Sequence, residues 1–374
     1  MKTTIYILAL LPALWFSANA QDTQKTFTRI VDIPHTEVKD QQRTGTCWAF
    51  ATASFFESEI LRLKKYNVDL SEMYAVRCIY EEKARNYFLR QGKANFSQGG
   101  LAHDFVNAMY YYGLATQKAY PGKPKGEKKY NHTELAKILE AYVKAATSSK
   151  LHTSYWMDGY KAVLDVYLGE KPAKFTFQNK EFSPKDFPAA LGLNAKDYIE
   201  ITSFSHHPYY KFFVLEIPDN FSSGMYYNLP VDQFKRQIDY ALDKGFSICW
   251  DGDVSESGFG RMSGIIELDK ESEKEVLHDY KLKNFENIKT LRQDQFEKIK
   301  TTDDHLMHIV GKAQDQNGNI YYIIKNSWGE AGRYKGYFYM SEPYLLLKTV
   351  SIMIHKDAML ENIVPEVYLP AGIY

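Results

Sequence analysis

The sequence predicts an α+β protein, helical in its first part and rich in strand towards its end. Three observations carry that prediction. From Trp48 to Leu63 apolar residues recur at helical spacing, with Cys47 at the start of the segment just after the turn-like Thr44-Gly45-Thr46. Leu70-Ser71-Glu72 opens a second apolar-periodic segment with the serine and acid that suit a helix start. Towards the other end the run from His305 to Gly311 and the run from Ile320 to Lys325 flank a turn at Gln314 to Asn319, with Gly318 in it, and pair as a hairpin.

Composition sets the frame. Of 374 residues 45% are hydrophobic and 15% aromatic, enough for a large packed core. Forty-six basic residues balance 46 acidic ones, so the charge gives no argument for nucleic acid or an anionic membrane surface. Lys2 gives a positive start, Ile5 to Phe16 is a short apolar run, and Ala18-Asn19-Ala20 is a small-x-small cleavage site. This predicts a signal peptide over residues 1–20 and an exported protein, periplasmic or extracellular. No later stretch approaches the roughly 20 apolar residues of a spanning helix, so no membrane span is expected. Three cysteines are too few and odd in number for a disulfide framework; Cys78 and Cys249, set in apolar runs, read as core.

In chain order, Phe27 to Val38 alternates and carries Pro34, as an extended entry strand would. At Cys47 the free N–H groups and dipole of a helix N-terminus favour a thiolate, which makes it the candidate nucleophile. Ser97-Gln98-Gly99-Gly100 permits positive φ and close backbone approach, as an extended peptide needs. A lysine-rich connector from Gly122 to Lys129 precedes an amphipathic helix from Thr133 to Ala146, and Gly245 to Val254 reads as a buried strand entering a turn. His206-His207 would point to opposite sides of an extended chain, with no ligand cluster beside them, so a surface or structural role and no metal is the expectation. The charged run from Asp269 to Lys300 reads as a solvated helical segment or long loop. His305 and His308 stand an odd number of residues apart and cannot both face Cys47 from one strand.

Gln41, six positions before Cys47-Trp48-Ala49-Phe50, together with Val38-Lys39-Asp40, resembles the nucleophile segment of the papain-like cysteine peptidases. The order continues through Gly99-Gly100, Gly113 to Tyr120-Pro121, Asp304-His305, and Lys325-Asn326-Ser327-Trp328-Gly329 running on to Gly336-Tyr337-Phe338. The resemblance implies a papain-like two-lobed fold in which Cys47, His305 and Asn326 are catalytic. His305 takes the thiol proton to give a thiolate and imidazolium, Asn326 fixes the ring, and Trp328 covers their bond. Gln41 offers its amide to the oxyanion, Gln42 being the other donor considered, and Gly99, Gly100 and the Asp304 backbone line a peptide substrate. His308 is then a packed or hydrogen-bonded histidine.

Two departures refine the resemblance. Thr44 stands where many papain-like enzymes have a disulfide cysteine, and the chain has too few residues before Cys47 for the usual long inhibitory pro-segment. His305 follows Cys47 by 258 positions, against roughly 130 to 150 in the minimal pattern. A large insertion of this kind is similar to the bleomycin hydrolase and aminopeptidase C branch. The expected division is a helical-lobe core over 41–122, an insertion over 123–250, a β-rich lobe over 251–355 and a tail over 356–374, all within one peptidase domain over 21–374. The branch implies aminopeptidase action on peptides, a homo-hexameric ring, and a C-terminal tail lying in the cleft, although the ending Tyr368 to Tyr374 matches the branch poorly. No cofactor is expected. An endopeptidase, a non-catalytic binding protein and a thiol acyl transferase on the same fold are the other readings.

Overall fold

The computed structural model describes residues 25–124 and 126–372, so the expected signal peptide lies outside the described residues. After β1 (Phe27–Asp32) come α1 (Cys47–Lys64), α2 (Glu72–Leu89) and α3 (Ala102–Tyr112). Next are α4 (Thr133–Ser148), α5 (Tyr155–Leu168), the hairpin of β2 (Phe175–Phe177) and β3 (Lys180–Phe182), and the short α6 (Phe187–Ala190). Strands β4 (Tyr198–Thr202), β5 (Phe212–Val214) and β6 (Met225–Asn228) lead to α7 (Val231–Asp243), β7 (Ile248–Gly252), β8 (Phe259–Gly260) and β9 (Ile265–Ile266). The chain ends its regular structure with α8 (Lys270–Lys281), α9 (Phe285–Glu297), β10 (His305–Asp315), β11 (Ile320–Lys325), β12 (Tyr337–Ser341), α10 (Glu342–Lys348) and β13 (Thr349–His355).

One sheet runs in the order β5-β6-β4-β13-β7-β10-β11-β12-β9-β8, with β1 added antiparallel to the far half of β10. The helical lobe packs on one face of it and α7 to α10 on the other. Helix α1 is buried from Trp48 to Ile60, so it is a central helix rather than an amphipathic surface one. Two of its buried polar residues meet the sheet: Ser54 Oγ hydrogen-bonds His308 Nδ1 (2.8 Å), and the Thr52 hydroxyl lies 3.6 Å from Cys249 Sγ. These contacts set α1 across β10 and β7 and account for His308 as a structural histidine. Ser71 caps α2 by accepting from the Tyr74 N–H (3.1 Å), which is why that helix begins where the serine-acid pair predicts.

Two expectations are corrected. The boundary placed at about 250 falls within β7, and the inserted segment is divided between the two sides of the fold. Its first half, α4 to α6, joins the helical-lobe core, whereas β4 to β7 are strands of the main sheet, β4 pairing with β13 and β7 with both β10 and β13. The charged run from 269 to 300 folds as α8 and α9 and is not merely solvated. Val276 and Ile288 are buried with α10, and buried Arg292 donates Nε to Ser203 O (2.7 Å) and Nη1 to Leu346 O (3.1 Å). The charged residues between them had hidden those core positions.

Between β1 and α1 the chain is extended, and Lys39 pins it. Its ammonium meets Glu57 (2.8 Å) and Glu72 (2.6 Å), which are 0% and 1% exposed, and also Asp69 (2.7 Å). Burial alone would lower the Lys39 pKa, but the three carboxylates hold it well above the ordinary lysine value. Replacing one partner of such a group leaves buried charge uncompensated. Lys39→Ala is therefore expected to cost about 3 kcal/mol, the low end of the range for buried pairs because Lys39 is partly exposed. Urea denaturation of the two proteins measures it.

Candidate active site

The segment that carries Gln41 and the loop that carries Asn326 are stitched together. Gln41 N–H donates to Ser327 O (2.8 Å), Ser327 Oγ donates to Gln41 Oε1 (2.6 Å), and Gly329 N–H donates to Lys39 O (3.0 Å). Gly329 has φ +70°, which lets the Asn-Ser-Trp-Gly loop turn back here. Gln41 Nε2 donates one hydrogen to Thr44 O (2.8 Å) and so has a second to offer a ligand. Gln42, at φ +56°, instead spends its side-chain carbonyl on the Tyr130 N–H, so of the two glutamines it is Gln41 that borders the thiol loop.

Cys47 stands at the first residue of α1, where the N–H groups of Trp48 and of Leu306 in β10 lie near its sulfur and favour the charged form. Leu306 immediately follows His305. On the far side of the imidazole, His305 Nε2 meets Asn326 Oδ1 at 2.8 Å, which leaves Nδ1 as the other ring nitrogen. The Trp328 ring lies over His305 with centroids 4.7 Å apart, and the Arg261 guanidinium covers the outer face of the same indole at 4.7 Å. Water is thereby kept from the His305 to Asn326 bond, where a low dielectric strengthens it. All three cysteines are free, Cys78 and Cys249 being buried.

The electrostatics correct one expectation. A helix N-terminus alone does not make Cys47 a thiolate here. Burial pushes the thiol up to about 12, against the pull of the two N–H groups, and the nearby carboxyls of Asp303 and Asp251 push the same way. Burial also brings His305 down to about 4, with Asn326 opposing. Each group is thus held in its neutral form by burial, the thiol by a raised pKa and the imidazole by a lowered one.

Gly100 lies against the Trp48 indole, where a Cβ would come within 3.0 Å of the ring, and Trp48 Nε1 donates to Gln98 O (3.1 Å). The Gln98 side chain accepts from the Gly45 N–H (3.1 Å), so the glycine segment is fixed to the nucleophile loop by hydrogen bonds where Thr44 replaces a cysteine. Lys83 Nζ donates to the Gly99 carbonyl. Asp304 is exposed, its side chain accepting from Thr302 Oγ1 (2.7 Å) and the Val254 N–H (3.3 Å).

Sequence reasoning missed the acid pair beside the thiol. Asp251 sits opposite Leu306 in the β7 to β10 ladder, and its carboxyl meets that of Asp303. Burial raises both: Asp251 strongly, with the charge of Asp303 pushing the same way, and Asp303 to about 7, with the charge of Asp219 pushing it up and the Asp251 carboxyl opposing. A charged residue inside the apolar run Ile248-Cys249-Trp250-Asp251 was the available signal.

The expectation for His206-His207 is also corrected. The chain turns there instead of extending, and both imidazoles face Glu216, at 3.2 Å and 2.7 Å. Among the described residues this is the one trio whose ligand atoms converge closely enough for a metal. Its hydrogen bonding works against that use: the Gln293 carbonyl accepts from the Ser205 N–H (2.6 Å), which turns its amide NH₂ to His206 Nδ1 (2.9 Å) and sets the ring proton on Nε2, towards Glu216.

The Peptidase C1-like family matches residues 93–368 of the chain. The protein belongs to this family. Aminopeptidase C of Lactobacillus delbrueckii subsp. lactis is 25% identical over 410 residues, spanning 94% of this chain and 90% of its own, and so includes the nucleophile segment that precedes the family match. Bleomycin hydrolase of Rattus norvegicus is 20% identical over 397 residues, covering 92% of this chain and 86% of its own. Among solved structures, PepW of Lactobacillus rhamnosis HN001 superposes with a TM-score of 0.73 at 20% identity, over 90% of this chain and 83% of that one. The fold is the papain-like one.

Removing the proton partner isolates the thiol. In His305→Ala, alkylation of Cys47 by iodoacetamide is expected to be slow at neutral pH and to rise about tenfold per pH unit, since only the thiolate reacts and its pKa lies far above 7. The unaltered protein is expected to react at a nearly constant rate through the same range.

Proposed function

We propose that the protein is an exported cysteine aminopeptidase in which Cys47, His305 and Asn326 carry the chemistry. The observation that supports this most is the 2.8 Å bond from His305 to Asn326 beneath Trp328, one residue from the N–H that meets the Cys47 sulfur. Similarity to proteins named aminopeptidase C and bleomycin hydrolase supports the class of substrate.

Sγ transfers its proton to His305 and attacks the carbonyl carbon of the scissile bond. The developing oxyanion is met by the free hydrogen of Gln41 Nε2 and by the Cys47 N–H at the helix start. His305 then gives its proton to the departing amine as the C–N bond breaks, leaving a thioester on Cys47. A water molecule, deprotonated by the same imidazole, hydrolyses it and returns the thiol. Asn326 holds the ring for both transfers without adding charge, and the backbones of Gly99, Gly100 and Asp304 align the peptide. Export through residues 1–20 and assembly into a homo-hexamer belong to the same proposal; the N-terminal residue of the exported protein and its mass in solution test them.

Hydrolysis of a matched pair of fluorogenic peptides, one with a free α-amine and one acetylated, tests the reading. Cleavage of the free-amine substrate alone is expected, abolished in Cys47→Ala. Comparable cleavage of both would indicate an endopeptidase. Gln41→Ala is expected to lower kcat by about 10²- to 10³-fold with KM little changed, because its amide is needed only as the oxyanion forms.

A further inference from the structure

We propose that Arg261, held over the outer face of the Trp328 indole, binds a carboxylate on the residue after the scissile bond, so that the enzyme favours dipeptides and peptides with an acidic residue at that place. This rests on the roles given above to Cys47 and His305 and concerns the departing side of the substrate, which those roles leave unassigned.

Arg261 belongs to the short turn between β8 and β9, and that turn is built onto the loop that follows Asn326. The Arg333 N–H donates to Met262 O (3.1 Å) and the Tyr339 N–H to Gly264 O (2.8 Å). Gly332, at φ +77°, lies so close that a Cβ there would come within 2.9 Å of the Arg261 carbonyl oxygen. Within the turn the Arg261 N–H donates to Phe259 O (3.0 Å) and the Gly264 N–H to Gly260 O (2.8 Å). Phe259 meets the Trp328 ring at 5.8 Å and the Phe338 ring at 5.3 Å. The backbone of Arg261 is thus fixed, and a cation–π contact sets the guanidinium 4.7 Å from the indole centroid. Among the described residues no carboxylate pairs with Arg261, and the residue is exposed. A guanidinium stacked on a ring keeps its edge free, and that edge offers two parallel N–H groups to a carboxylate.

The stack runs outward from His305. Imidazole and indole centroids are 4.7 Å apart, and the guanidinium follows at the same distance beyond the indole. In the reaction proposed above the departing nitrogen takes its proton from His305 and so stands about 3 Å from that ring. One residue of extended chain spans about 3.3 to 3.6 Å, and a charged hydrogen bond to the guanidinium adds about 2.8 Å. A carboxylate on the departing residue that passes the edge of the indole therefore arrives at Arg261. The terminal carboxylate of a dipeptide and the side chain of an aspartate or glutamate at this place have the same chemistry. The nearby acids are turned to other partners: Asp40 Oδ1 accepts from the Gln42 N–H (2.8 Å), and Asp304 accepts from Thr302 Oγ1 (2.7 Å) and the Val254 N–H (3.3 Å). Because Arg261 is exposed, the attraction is modest and is screened by salt.

The test uses the full chain and four substrates, Leu-Ala, Leu-Ala amide, Leu-Asp amide and Leu-Asn amide, with the released product measured by mass. Each is run with a free and with an acetylated α-amine, since the departing side is the same in both. In the cleaved series kcat/KM is expected to be about 2- to 5-fold higher for Leu-Ala than for its amide, and for Leu-Asp amide than for Leu-Asn amide, chiefly through KM. Both ratios are expected to shrink as salt is raised. In Arg261→Gln they are expected to fall to about one, whereas Arg261→Lys, which keeps the charge without the planar fork, retains part of them. Iodoacetamide labelling of Cys47 at the original rate shows that each variant is folded. Loss of the first ratio alone would identify the terminal carboxylate as the ligand, and loss of the second alone the acidic side chain. Ratios near one in the unaltered protein, or ratios that persist in Arg261→Gln, overturn the proposal. Cleavage of the acetylated series as readily as the free one overturns the aminopeptidase reading alone, because the ratios are then read in both series.

Discussion

The N-terminal end of α1 meets the start of β10 where the Leu306 N–H reaches Cys47 Sγ, and the arrangement of the site follows from how firmly that contact is held. Ser54 to His308 and Thr52 to Cys249 fasten the body of α1 to the same two strands, so the helix cannot slide without burying unpaired polar groups. Lys39 fastens the preceding segment to α1 and α2 through Glu57 and Glu72, and the Gln41 to Ser327 bonds carry the Asn326 loop along with it. Cys47, His305 and Asn326, the proposed nucleophile, base and orienting amide, thus come from three distant parts of the chain yet share one rigid frame.

Magnitudes decide how the thiol is activated. Raising a thiol from 9.0 to about 12 corresponds to about 4 kcal/mol against the charged form. A helix N-terminus returns about 0.3 to 1 kcal/mol at exposed sites and about 2 at most when partly buried. Desolvation therefore outweighs the dipole, and in the mechanism proposed above it is the imidazolium of His305 that supplies the balance. The same burial that disfavours the lone charges makes their mutual attraction strong, which is why the two belong together in a covered site.

The sequence made the site's linear signals legible. Cys47, Gly99-Gly100, His305 and Asn326 sit in short motifs with their own spacing, and α1, α2 and the β10 to β11 hairpin follow from apolar period and caps. What was not legible depends on contacts between distant segments. That the inserted segment supplies strands to the main sheet was not legible, because nothing local says that β4 pairs with β13, some 150 residues later. His206 and His207 were read as divergent because an extended chain was assumed where the backbone turns. The charged faces of α8 and α9 masked Val276, Ile288 and the buried Arg292.

The central claim is that Cys47 is the acyl-accepting group of this peptidase. Reaction with an amino acid chloromethyl ketone carrying a free α-amine, followed by peptide mapping in a mass spectrometer, tests it most directly. One adduct per chain on Cys47, appearing in step with loss of peptidase activity, is the predicted result, with buried Cys78 and Cys249 unlabelled. Loss of activity while Cys47 stays unmodified would contradict the account.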